Sequence, residues 1–249
     1  MIKGITYILL GISILMLEAC GGDAAATSDS SLQSQNGSTS GMVIQNNYLV
    51  ALTDRRTVKT FDLSDARKPV EVDSITLNFV ETLSAYGDKL VMLGTEEGSY
   101  ILEVADEGTL TSLHFARHTR SCDPVIADNN LMYVTVRAGN RCGNSGEDRL
   151  LIYDISDEDN VWLLGSLPLP QPKGLAISGS TLYVCTSEGM QSVDVSNPTN
   201  PVELTLYSDL NCNDLIVREQ EAVISADAQI TLASISQLQT PSAQIKTGQ

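Results

Sequence analysis

Histidine is nearly missing from this chain. Its two copies, His114 and His118, sit in one stretch, so a Ser–His–acid triad could be built there or nowhere. No Gly-x-Ser-x-Gly elbow, His-Glu-x-x-His pair or phosphate-binding glycine loop occurs in the sequence. The familiar signatures of esterase, metalloprotease and nucleotide chemistry are therefore missing, and the catalytic evidence is thin. Basic residues are also scarce, 15 Lys and Arg against 31 Asp and Glu, for a net charge of −16. So acidic a chain argues against nucleic acid as a partner. It also gains nothing from anionic lipid headgroups, so attachment to a membrane would need acyl chains. Outside one N-terminal apolar segment no window keeps a 3.6-residue period, which argues against a helical protein.

What the chain has instead is repetition. Thr60-Phe-Asp-Leu-Ser-Asp-Ala-Arg-Lys-Pro-Val-Glu-Val72, Ile152-Tyr-Asp-Ile-Ser-Asp-Glu-Asp-Asn-Val-Trp-Leu-Leu164 and Ser192-Val-Asp-Val-Ser-Asn-Pro-Thr-Asn-Pro-Val-Glu-Leu204 are copies of one pattern. An apolar anchor column aligns Val50, Val91, Tyr133, Tyr183 and Val223; a second column holds Asp62, Glu103, Asp154, Asp194 and Ser234. The period is about 40 residues, the length of a propeller blade. The third unit is longer by roughly nine residues, within Gly139–Asp148, and such insertions map to loops. Each unit reads as four short strands, in the fourth Gly174–Ser178, Thr181–Thr186, Met190–Val195 and Val202–Tyr207. Apolar or alternating runs between Gly, Asn, Asp and Pro are the strand signature. Pro198 and Pro201 cannot donate to a central ladder and mark the turn after the third strand. The expectation is an all-β chain: a small propeller of about five four-stranded blades, with units near 42–80, 81–122, 123–172, 173–212 and 213–249. Five units suit a closed ring; an incomplete ring completed by a partner chain is the alternative.

These repeats resemble the LVIVD-type propeller repeats of secreted and lipid-anchored bacterial proteins. The resemblance covers nearly the whole chain after its leader. It implies a propeller fold and a surface location, and no particular reaction.

The leader points the same way. Lys3 precedes a mostly apolar run, Ile5–Leu17, too short for a comfortable membrane span and suited to a signal peptide. It ends Leu17-Glu-Ala-Cys20 before Gly21-Gly22, which resembles a bacterial lipobox, with Glu18 where a small residue is usual. Residues 1–19 are expected as signal peptide and Cys20 as the lipidated residue. An ordinary signal peptide beside a chance cysteine is the alternative. The Ala, Ser, Thr, Asp, Gln, Asn and Gly that follow have little to bury, so 20–41 reads as a disordered tether and 42–249 as the propeller.

Four more cysteines remain, an even number suited to disulfides in an exported protein. On the propeller reading Cys122 and Cys212 occupy equivalent loops entering the innermost strands of blades three and five. Cys142 lies in the enlarged loop on the same face, and Cys185 near the end of a second strand. The pairs expected are Cys122–Cys142 and Cys185–Cys212, with free buried thiols as the alternative. His114, His118 and Cys122 are spaced like zinc ligands on one strand face, but the spacing crosses a loop and lacks a fourth ligand. No metal or cofactor is expected. Asp157-Glu-Asp159 lacks the EF-hand spacing and reads as a solvated turn.

Seven of the nine arginines, Arg55, Arg56, Arg117, Arg120, Arg137, Arg141 and Arg149, map to loops or strand ends on one face. Guanidinium forks there match carboxylate, phosphate or sulfate. Surface pairing with Glu96, Glu97, Glu147 and Asp148 is the plainer account. At the channel mouth, Ser40, Glu81, Asp123, Lys173 and Asn213 form a polar ring before the apolar ring Met42, Leu83, Val125, Leu175 and Leu215. The candidate ligand-binding residues are Arg117, Arg120, Arg137, Arg141, Glu81, Asp123 and Lys173. The function expected is a non-enzymatic, lipid-anchored cell-envelope module that binds an envelope protein or glycan through the Arg-bearing face. The alternative is a carbohydrate-active hydrolase or lyase using Glu81 and Asp123.

Overall fold

The computed structural model describes residues 36–37, 41–117, 124–139, 147–157 and 159–246. The expected signal peptide and Cys20 lie outside the described residues. A two-residue strand, β1 (Asn36–Gly37), precedes five four-stranded units. Blade one is β2 (Met42–Gln45), β3 (Tyr48–Asp54), β4 (Thr57–Asp62) and β5 (Val70–Thr76). Blade two is β6 (Val80–Tyr86), β7 (Leu90–Thr95), β8 (Gly98–Val104) and β9 (Leu110–Arg117). Blade three is β10 (Val125–Asp128), β11 (Leu131–Val136), β12 (Arg149–Asp154) and β13 (Trp162–Pro168). Blade four is β14 (Leu175–Ser178), β15 (Thr181–Thr186), β16 (Gly189–Asp194) and β17 (Val202–Tyr207). Blade five is β18 (Asp214–Arg218), β19 (Glu221–Ala226), β20 (Gln229–Ser234) and β21 (Ala243–Lys246), with a short 3-10 turn at Ile235–Gln237. Every pairing is antiparallel and between sequence neighbours, except that β1 lies against β18. Asn36–Gly37 falls within the stretch expected as tether. The backbone groups on the inner edge of β18 would otherwise lack strand partners, and a passing segment satisfies them.

The repeat recurs in the hydrogen bonding. The residue after the Asp column, Leu63, Val104, Ile155, Val195 or Ile235, donates its N–H to the last residue of the first hairpin turn in its own blade. Those acceptors are Asn47, Lys89, Asn130, Ser180 and Gln220. The register corrects the anchor column. The blade-two turn, Gly87-Asp88-Lys89, is one residue longer than the others, so Met92 rather than Val91 stands level with Val50, Tyr133, Tyr183 and Val223.

The first residue of each of these turns has positive φ: Asn46, Gly87, Asn129, Gly179 and Glu219. Gly and Asn tolerate this region and Glu does not. Glu219→Gly is expected to stabilise the fold by roughly 1 kcal/mol, read as a higher urea midpoint at unchanged m-value.

The Asp-x-Ser step is a side-chain cap. Asp62, Asp154 and Asp194 accept the backbone N–H of Ser64, Ser156 and Ser196 at 2.7–2.8 Å. The serine side-chain and backbone hydrogen bonds hold all three carboxyls below the usual range. Their contribution to stability is present above the unfolded carboxylate pKa, about 3.9, and is lost as pH falls through the folded values. Glu81 and Asp128, raised chiefly by desolvation, act in the opposite sense. A melting temperature that drops below about pH 4 is expected from the three caps. Asp194→Asn keeps an acceptor at the turn and removes its titration, so its pH profile should be shallower.

Four apolar clusters fill the joints between blades one and two, two and three, three and four, and four and five. No such cluster joins blade five to blade one among the described residues, and no strand of blade five packs broadly against a strand of blade one there. The five blades expected are present; among the described residues no apolar joint closes the ring.

Candidate functional site

In each blade the second and third strands join, and the fourth ends, on the same side of the molecule. That side carries Arg55 and Arg56 between β3 and β4, Arg117 at the end of β9, Arg137 just after β11 and Arg149 at the start of β12. Arg120, Arg141 and Asp123 lie outside the described residues, as do His118, Cys122 and Cys142. The Cys122–Cys142 pairing and the His114–His118–Cys122 constellation therefore fall outside them too; His114 lies in β9 opposite Ile101.

Two of the chain's three phenylalanines carry these arginines. The Arg55 guanidinium lies 5.0 Å from the Phe79 ring centroid and that of Arg117 lies 5.7 Å from Phe115. A guanidinium over an aromatic face keeps its donors directed outward while its flat side is attracted to the ring. Nothing in the repeat pattern marks these phenylalanines as platforms. The one clue in the sequence is the spacing of Phe115 and Arg117, two apart on a strand and hence on one face. The acids expected to neutralise the arginines divide. Glu147 pairs with Arg149. Asp148 instead accepts backbone N–H groups from Ala138 at 2.8 Å and Gln171 at 3.0 Å, fastening the loop after Arg137 to the loop before Lys173.

Glu81 begins the inner strand of blade two. Its carboxyl is raised above the ordinary range by desolvation, against the pull of Arg137 and then Arg55. The residue is exposed by area, yet protein crowds it; a side chain on a confined wall is wetted without being fully solvated. Next to it Thr82 Oγ1 is buried with no hydrogen-bond partner, as is Ser99 Oγ two strands away, both residues pairing with Gly94.

Lys173 and Asn213, at the corresponding positions of blades four and five, are joined. Lys173 Nζ donates to Asn213 Oδ1 at 2.7 Å, and Asn213 Nδ2 donates to Asp227 Oδ1 at 2.5 Å. Gly174 is required here, because a Cβ on it would run into Asp214. Beneath this chain of contacts the Cys185–Cys212 disulfide closes as expected, with Cα atoms 5.2 Å apart and both residues buried. Lys173 N–H donates to the Cys185 carbonyl at 2.8 Å and Cys212 directly precedes Asn213, so the bond holds both polar residues in place. A groove of about 540 Å³ adjoins it, lined by Asp209, Leu210, Ala226, Asp227, Gln229 and Lys246. The site thus has an arginine-bearing sector on blades one to three and a paired, polar sector on blades four and five.

Comparison with known proteins follows this geometry. No curated protein matches the chain. Among solved structures, BamB from Moraxella catarrhalis is 11% identical, with a TM-score of 0.56 over 83% of this chain and 63% of that one. AztD from Citrobacter koseri is 14% identical, with a TM-score of 0.58 over 85% of this chain and 61% of that one. A protein from Lactobacillus plantarum is 15% identical, with a TM-score of 0.56 over 83% and 70% of the two chains. The chain spans under two thirds of the length of BamB and AztD, and at these identities the likeness is one of fold. The LVIVD repeat family matches residues 172–209, the stretch that runs from the Lys173 loop through all four strands of blade four. The chain is thus a five-bladed β-propeller whose fourth blade matches the LVIVD repeat.

Proposed function

We propose that this chain is a non-enzymatic binding module, anchored in the bacterial cell envelope through a lipidated Cys20, that captures an anionic protein or glycan with its arginine-bearing face. The observation that carries this reading is the gathering of Arg55, Arg56, Arg117, Arg137 and Arg149 at one end of the strands of a chain whose net charge is −16. Guanidiniums gathered in this way orient an anionic partner through directed hydrogen bonds. The arginines held over Phe79 and Phe115 have less freedom to lose on binding. Likeness of fold to BamB and AztD supports a propeller scaffold and names no ligand.

The test is crosslinking on intact cells with the anchored protein as bait, followed by mass spectrometry. A neighbour captured by the wild type and lost when Arg55, Arg117 and Arg137 are changed to Ser supports the proposal, as does weakening of capture with ionic strength. Capture that survives the triple change overturns it for this face. One observation favours a second reading, a carbohydrate-active hydrolase or lyase: the Glu81 carboxyl, raised by desolvation, suits a general acid. Turnover of a glycan abolished by Glu81→Gln in a folded variant would establish that reading instead.

A further inference from the structure

We infer that the unsealed side of the propeller is an interface for a second copy of this chain, with blade five of one copy packed on blade one of the other. Cross-strand pairs divide each blade into a face toward the next blade and a face toward the previous one. Facing the next blade are Met92, Tyr133 and Tyr183, all buried; Val223, their equivalent in blade five, is 38% exposed. Facing the previous blade on the inner strands are Val125 and Ala127, Leu175 and Ile177, Leu215 and Val217, all buried. Their equivalents in blade one, Met42 and Ile44, are each 62% exposed.

The two open flanks are apolar across several strands. On blade five Ile216 pairs with Val223, Val223 with Leu232, and Ile230 with Ile245, one face of a four-stranded sheet. On blade one Met42 pairs with Ala51 and Ile44 with Leu49. Among the described residues, neither Ile44 nor Val223 belongs to a core cluster. Single exposed apolar residues need no explanation, but contiguous apolar sheet faces mark interaction surfaces.

The repeat itself identifies the occupant. Val223 is the equivalent of Met92, Tyr133 and Tyr183, and Ile44 the equivalent of Ala127, Ile177 and Val217. Met92 and Ala127 share one cluster, Tyr133 and Ile177 a second, Tyr183 and Val217 a third. The surface that fits the open flank of blade five is therefore one of the type on the open flank of blade one, a match made three times already inside the chain. Such a contact joins unlike faces, so it closes into a two-fold pair if both seams meet and otherwise grows head to tail. At −16 per copy, like-charge repulsion opposes the contact, so added salt should strengthen it, opposite to its effect on the arginine face.

The test is analytical ultracentrifugation of the full chain in detergent over a concentration series, with Ile44→Lys and Val223→Glu variants. The wild type is expected at twice the monomer mass or as a concentration-dependent series of larger species. Each variant alone should sediment as monomer and still melt in one cooperative transition, because neither site is buried within the chain. A one-to-one mixture of the two variants should regain the dimer. At one seam the new ammonium of the Ile44→Lys copy meets the new carboxylate of the Val223→Glu copy, while the second seam stays native. A wild type that is monomeric at every concentration overturns the inference. So does an oligomer that both variants leave intact, which would place the contact elsewhere.

Discussion

Removing the Cys185–Cys212 disulfide is expected to lower the unfolding free energy by about 3 kcal/mol, given the loop-closure entropy of a crosslink across a separation of 27 residues. In a domain of this size that corresponds to a loss of roughly 6–12 °C in melting temperature. The double variant Cys185→Ala/Cys212→Ala isolates this bond, which a reductant would not. The effect should be felt at the site as well. The bond joins the end of β15 to the loop that carries Asn213, and the Lys173–Asn213–Asp227 contacts rest on that loop. Faster amide exchange at Cys212–Asp214 and around Lys173, with blades one to three unaffected, is the accompanying result. Equal melting of variant and wild type would show that burial in the joint between blades four and five holds the two segments without the crosslink.

The second large effect is a contrast between two leucines at one position of the repeat. Leu182 faces the previous blade and is fully buried in the joint between blades three and four. Leu49 holds the same place in blade one, is only half-buried and belongs to no cluster. Leu182→Ala is expected to cost about 2–5 kcal/mol, the sum of lost transfer energy and a cavity that rigid sheets on both sides cannot close. Leu49→Ala, measured in dilute solution, should cost less, roughly 1–2 kcal/mol, because part of the side chain is already wetted and its loss leaves no enclosed cavity. Urea titrations of the two variants decide the matter. A large cost at Leu49 would mean that the flank of blade one is covered in the isolated chain.

Much of the fold was legible because its determinants are local. In the fourth unit the expected strands match β14 to β17 to within one residue at each end. Alternation, turn residues and the Asp-x-Ser cap all act within a few residues of one another. The disulfide was legible for a related reason: strand direction alone puts Cys185 and Cys212 on one face of adjacent blades. The anchor column slipped at Val91 because one extra residue in the Gly87-Asp88-Lys89 turn leaves the spacing plausible while turning every side chain to the other face.

The site was less legible. The crowding of arginines at one end could be read from strand direction. Their seats on Phe79 and Phe115 depend on loop paths that no periodicity encodes. Asp148 shows the limit well: its charge suggested a pair with arginine, whereas its position spends both oxygens on backbone N–H groups. The amino-acid sequence alone determined the number of blades, their strands and their caps, since each follows from short-range pattern. Tertiary structure alone decided which joints are sealed. Ile44 and Val223 are as apolar as their buried equivalents, and burial depends on whether a neighbour is there to cover them.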